Sequence, residues 1–177
     1  MTIKKRLPRL YQIYPVYAII VILVYGWTIY WALWKLPSWL KFLPLTGIGA
    51  IFCYLMVTNL IESLVALLGV VVVSFFLPQK WLREVFVSRG SVLAASVLIS
   101  IMVFEYHFDK PADYYSKLPV LLIIIFSIAC VLTFLAGRIG PVRRAVEVFA
   151  ENAVIFLFIS LPVSLLSLIV VAFRNLS

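Results

Sequence analysis

The chain has 177 residues, 65% of them hydrophobic and only 12% charged, with a formal net charge of +8. A soluble domain carries roughly 25% charged residues, so this composition, with a mean hydropathy of +1.15, excludes that class. The chain reads as an all-α polytopic membrane protein built as one helical membrane domain over residues 1–177, because no polar stretch is long enough to form a soluble module. The positive charge would suggest nucleic acid in a soluble chain. Here the basic residues flank apolar runs, which points to anionic lipid headgroups and excludes a nucleic-acid partner.

The N-terminus is basic, with Lys4, Lys5, Arg6 and Arg9, and is followed by an uncharged run from Leu10 to Trp34. A secretory signal peptide has a shorter apolar core and a small-residue cleavage site. The run is therefore an uncleaved first span, about 13–34. Tyr11, Tyr14 and Tyr17 mark one membrane interface, and Trp27, Tyr30, Trp31 and Trp34 mark the other. The stretch 35–48 contains Pro37, Pro44, Gly47 and Gly49 at its far edge, residues that break helices, among apolar Trp39, Leu40 and Phe42. It is expected to be a connection lying along the interface.

A second span is expected over 49–77, stopped by Pro78, since the residue before a proline avoids helical geometry. Residues 80–89 alternate Trp81, Leu82, Val85 and Phe86 with Lys80, Arg83, Glu84 and Arg89, the pattern of a short helix flat on the membrane surface. The third span is expected over 90–106 and leads into the polar loop EYHFDKPADYYSK; the fourth is expected over 118–137. Pro141 then begins a helix carrying Arg143, Arg144, Glu147 and Glu151. The fifth span is expected over 152–173, with a kink at Pro162. No internal repeat is visible.

Lys and Arg counts between spans set the orientation. Lys4, Lys5, Arg6, Arg9, Lys80, Arg83, Arg89, Arg138, Arg143 and Arg144 fall on one side, against Lys35, Lys41, Lys110, Lys117 and Arg174 on the other. This distribution puts the N-terminus in the cytoplasm and the C-terminus outside a cell membrane. A six-span alternative that turns at Asn59 loses the asymmetry, so five spans are preferred.

Glu62 is the residue most out of place. A charge at a helix centre costs about 2.5–3.5 kcal/mol, and each surrounding Leu, Ile, Val or Phe returns about 0.3–0.6, so the span inserts regardless and insertion does not explain the carboxylate. Thr58, Asn59, Glu62 and Ser63, with Ala66, recur at spacings of three and four and form a small polar face, a candidate intramembrane site. Glu62 is expected to face the protein interior or a wet crevice, because an ionised carboxylate in lipid lacks hydrogen-bond donors. Its two readings are a group joining helices and a carboxylate on a proton or ligand path.

Three other clusters carry less. Glu105, His107, Asp109 and Asp113 share the third loop. A single His with flexible carboxylates is a weak metal pattern, so no metal site is assigned and the loop is expected to be a polar cap. Arg138, Arg143 and Arg144 form a candidate site for an anionic headgroup or phosphate. Ser96 with Ser100, and Ser160 with Ser164, have the spacing that lets membrane helices approach closely. Cys53 and Cys130 lie within apolar runs without metal or redox spacing and act as packing residues.

No HExxH, GxSxG, P-loop or paired-histidine pattern occurs, so the reading leans away from an enzyme and implies no cofactor. Two functions remain. The favoured one is a non-catalytic subunit or accessory of a membrane complex, held by a protein partner or as a homo-oligomer. The alternative is a small transporter or channel in which Glu62 and Asn59 line a polar path.

Overall fold

The computed structural model of the chain describes residues 10–76, 85–107 and 111–176. They form six helices: α1 (Leu10–Phe42), α2 (Leu45–Phe76), α3 (Phe86–His107), α4 (Pro111–Arg138), α5 (Gly140–Ala153) and α6 (Ile155–Leu176). Among the described residues there is no strand. Five helices are long and apolar enough to cross a membrane: Tyr11–Phe42, Leu45–Phe75, Phe86–Tyr106, Leu118–Arg138 and Ile155–Leu176. In a bilayer only such self-satisfied helices, or a closed barrel, leave no backbone group without a partner.

The helices pack around α1, which touches α2, α3, α5 and α6; α4 lies outside on α3 and α5, and α6 lies on α2, α1 and α5. Val16 to Val21 are all buried. Six consecutive helical residues point in every direction around the axis, so this part of α1 is enclosed on all sides. Close approach to its neighbours depends on small residues: Gly90 of α3 lies against Val16, where an added Cβ would sit 3.3 Å from a Val16 methyl, and Ala150 and Ala153 of α5 are buried. Such positions allow membrane helices to gain van der Waals contact where water-driven burial is unavailable.

The connection expected at 35–48 is almost entirely helical. α1 continues to Phe42 and α2 starts at Leu45, which leaves only Leu43 and Pro44 between them. Pro37 lies inside α1; in a membrane helix the single lost hydrogen bond is tolerated when a neighbouring helix supports the segment, and here Trp39 meets Phe52 of α2 edge-on at 6.3 Å. The turn is closed by Leu43 N–H donating to Trp39 O at 2.8 Å, and by Gly47 and Ile48 N–H donating to Pro44 O at 2.9 and 3.1 Å. α2 is continuous through Asn59, so no hairpin turns there.

The flat helix expected at 80–89 differs where it is described. Val85 precedes α3, Phe86 begins it, and Val85, Phe86 and Ser88 are buried. Their apolar pattern marks contact with the bundle; Ser88 donates to Ala136 O of α4 at 3.2 Å. Residues 80–84 lie outside the described residues. The expected polar loop is also shorter, because α3 runs to His107 and α4 begins at Pro111. Pro141 stands in the first turn of α5 as expected. A turn at Val154, whose N–H donates to Glu151 O at 3.2 Å, then separates α5 from α6, so the fifth crossing is a helix of its own.

Candidate functional site

α1 and α2 are antiparallel, and their register is fixed where Thr28 Oγ1 donates to Asn59 Oδ1 at 2.7 Å. Asn59 is 1% exposed, and its Nδ2 has no hydrogen-bond partner. One turn on, Ser63 is fully buried; its hydroxyl lies 3.3 Å from the Tyr17 hydroxyl and 3.0 Å from Leu60 O, to which it donates. A third polar contact, 2.7 Å between the hydroxyls of Tyr25 and Ser164, ties α1 to α6. Thr28, Asn59, Ser63, Tyr17, Tyr25 and Ser164 thus form a polar seam along α1. Interhelical hydrogen bonds of this kind contribute about 0.6 kcal/mol each, up to about 1.7.

The polar face read from the sequence divides. Asn59 and Ser63 face α1, whereas Thr58 and Glu62 are exposed. Of the two surroundings expected for Glu62, the protein interior or a wet crevice, its exposure rules out the first. Successive residues turn by about 100°, so with Ser63 directed at α1, Glu62 just before it is carried off the packed side. Thr58 Oγ1 donates back to Tyr54 O at 3.0 Å, within its own helix. Glu62 is close enough to Glu105 of α3 for the two carboxylates to interact electrostatically. Glu105 Oε2 in turn accepts a hydrogen bond from Trp27 Nε1 at 3.3 Å.

That juxtaposition joins two clusters that are separate in the sequence: Glu62, from the polar face of the second span, and Glu105, from the third loop. One of them, Glu105, is held by Trp27, which the sequence marks only as an interface anchor. Asp109 lies outside the described residues, as do the side chains of His107 and Asp113. Among the described residues no three His, Cys, Asp or Glu side chains converge.

Beside the carboxylates, Trp27 and Tyr30 of α1 and Ile99, Met102, Val103 and Tyr106 of α3 line an open groove of about 270 Å³. The Trp27 and Tyr30 rings stack at 5.9 Å and 24°, and an edge-to-face series continues up α1 through Trp31 to Trp34. The groove walls are apolar and aromatic.

The arginine cluster gathers at the corner between α4 and α5. Arg138 lies over the Phe134 ring, 5.5 Å from its centroid. Arg143 Nε donates to Glu147 Oε1 at 2.9 Å, a partly exposed ion pair one turn apart, and Arg144 is exposed. Arg89 of α3, which the sequence assigned to a surface helix, joins them: its guanidinium occupies the space that a side chain on Gly137 would need. Of the three predicted arginines, one is thus committed to a carboxylate and one to an aromatic face.

No protein-family model matches this chain, and no curated protein and no solved structure is significantly similar to it.

Proposed function

We propose that this protein is a non-catalytic subunit of a membrane complex, bound by a protein partner through the tip of the α1–α2 hairpin. Support comes from the different lengths of the helices. Trp27 and Thr28 stand level with Glu105, close to the end of α3 at His107. From Thr28 to the turn at Leu43, α1 climbs 15 residues further, about 23 Å at 1.5 Å per residue. α2 descends over the same height, and α6 accompanies it part of the way, where Tyr54 donates to Asn175 Oδ1 at 2.9 Å.

The hairpin exposes large apolar side chains, at its tip beside the exposed Lys41: Phe42 is 81% exposed and Leu45 78%, and lower on α1 Trp34 is 68% exposed. A 22-residue helix such as α3 already matches a hydrocarbon core of about 30 Å. A hairpin rising past it with such a tip calls for cover beyond the lipid. The transporter alternative has less support, because Asn59 is buried against α1 while Glu62 is exposed, so the two do not line one path.

The orientation that goes with this reading has the N-terminus in the cytoplasm and the hairpin tip outside the cell membrane, with Arg138, Arg143 and Arg144 at the anionic cytoplasmic leaflet. It rests on the positive-inside asymmetry. A photoreactive residue at position 42 or 45 in native membranes is expected to give an adduct with one and the same protein, identified by mass spectrometry, while one at Ile123, exposed on α4, gives lipid adducts alone. Lipid adducts alone from all three positions would overturn the proposal.

A further inference from the structure

We infer that the groove between α3 and α5 is a binding site for one phospholipid, whose acyl chain lies in it and whose ester carbonyl accepts a hydrogen bond from Ser91. Val92 and Ala95 of α3, Val146 and Phe149 of α5 and Ile19 of α1 wall a groove of about 300 Å³, and Ser91 supplies its one hydroxyl. Small side chains make the space: Ala95 stands one turn on from Ser91 on the same side of α3, and Ala145 belongs to the α5 wall.

Ser91 marks what the groove lacks. It is 2% exposed, and its Oγ has no hydrogen-bond partner. The other buried serines and the buried threonine all have one. Ser63, Ser96, Thr133 and Ser167 donate to a carbonyl three or four residues back in their own helices, and Ser88 and Ser164 reach a neighbouring helix. A buried hydroxyl without a partner costs free energy, and inside a membrane no water offsets that cost. An oxygen carried into the groove by an apolar molecule supplies the missing acceptor. The Ser91 side chain has staggered positions about its Cα–Cβ bond, so its hydroxyl follows an acceptor that enters.

Depth and shape identify the molecule. Gly90, directly before Ser91, lies against Val16 of α1, between Tyr14 and Tyr17 of the aromatic belt that marks one interface. The ester carbonyls of a phospholipid lie at the inner edge of such a belt, each attached to an apolar chain. Arg143 and Arg144 come directly before Ala145 on α5, and a lipid phosphate matches their charge. A partner helix is a poorer occupant: one turn with its side chains, about 10 Å across and about 5.4 Å high, exceeds the volume of the groove.

The test uses the full purified chain in nanodiscs of phosphatidylcholine, with ester-linked and ether-linked lipids of the same chain length in equal amounts and retained lipid read by native mass spectrometry. The ether lipid keeps the headgroup and chains but has no carbonyl. The wild type is expected to retain one ester lipid about threefold in preference to the ether lipid, the ratio that corresponds to about 0.6 kcal/mol for a hydrogen bond within a membrane. Ser91→Ala should keep the retained lipid and lose the preference. Ala95→Phe, or Ala145→Phe should the first fail to fold, fills the groove and should abolish retention of either lipid while the helical circular dichroism persists. Equal retention of the two lipids by the wild type, an undiminished preference in Ser91→Ala, undiminished retention in a folded groove-filling variant, or adducts with protein alone from a photoreactive residue at position 146 in native membranes would each overturn the inference.

Discussion

The two halves of α1 follow opposite rules. From Val16 to Val21 every residue is buried among four other helices, while past Thr28 the same helix pairs with α2 in the hairpin and leaves Tyr30, Leu33, Trp34 and Leu40 exposed. Both halves are apolar, so hydropathy alone does not separate them. The separating feature is the size and placement of small and hydroxyl residues. The lower half meets Gly90, Ala150 and Ala153, and at its upper end Tyr25 meets Ser164; the upper half presents large aromatic rings to its surroundings. In a membrane, where apolar side chains are as comfortable in lipid as in protein, packing is decided by how closely backbones approach.

The comparison is challenged most strongly in the enclosed half. Ile20→Ala removes a fully buried side chain and should destabilise the bundle by about 2–5 kcal/mol, measured as a shift in an SDS-unfolding titration in mixed micelles. If it unfolds like the wild type, α1 is not enclosed. A smaller effect is expected from Tyr25→Phe, which deletes the bond to Ser164. The loss should be about 0.6 kcal/mol and no more than about 1.7, because Ser164 can turn its hydroxyl to a carbonyl of its own helix. The smallest effect belongs to the upper half: Phe42→Ser should change stability by less than about 0.5 kcal/mol, yet remove the protein adduct formed from position 45. A large loss of stability there would mean that the tip packs within the chain.

Much of the crossing pattern was legible in the sequence, because long uncharged runs bounded by charge report directly on spanning helices. Pro141 gave the start of α5 for a local reason, its fixed φ and missing N–H. Elements that depend on a neighbour were not legible. Pro37 and Pro44 have the same breaking signal, yet Pro37 is carried inside α1, and only Pro44 ends a helix. The apolar face of Val85 and Phe86 fits a lipid surface as well as a helix bundle, and the bundle takes it.

The candidate site divides along the same line. Spacing alone put Thr58, Asn59, Glu62 and Ser63 on one face, but where that face meets α1 depends on rotation about the helix axis, which a uniformly apolar span leaves undetermined. The meeting of Glu62 with Glu105 joins residues 43 positions apart on α2 and α3, and no local signal encodes it. Arg89 was hidden likewise, since its place over Gly137 depends on the packing of α3 against α4.

The central claim is that the α1–α2 hairpin stands upright past the end of α3. It is tested most directly by the distance between spin labels at position 43, in the turn, and position 106, beside Glu105, in lipid nanodiscs. An upright hairpin predicts a mean separation of about 25 Å, from 15 residues of helix at 1.5 Å each with a lateral offset of one helix spacing. A separation under about 15 Å, with the tip folded down beside α3 along the interface, would contradict it.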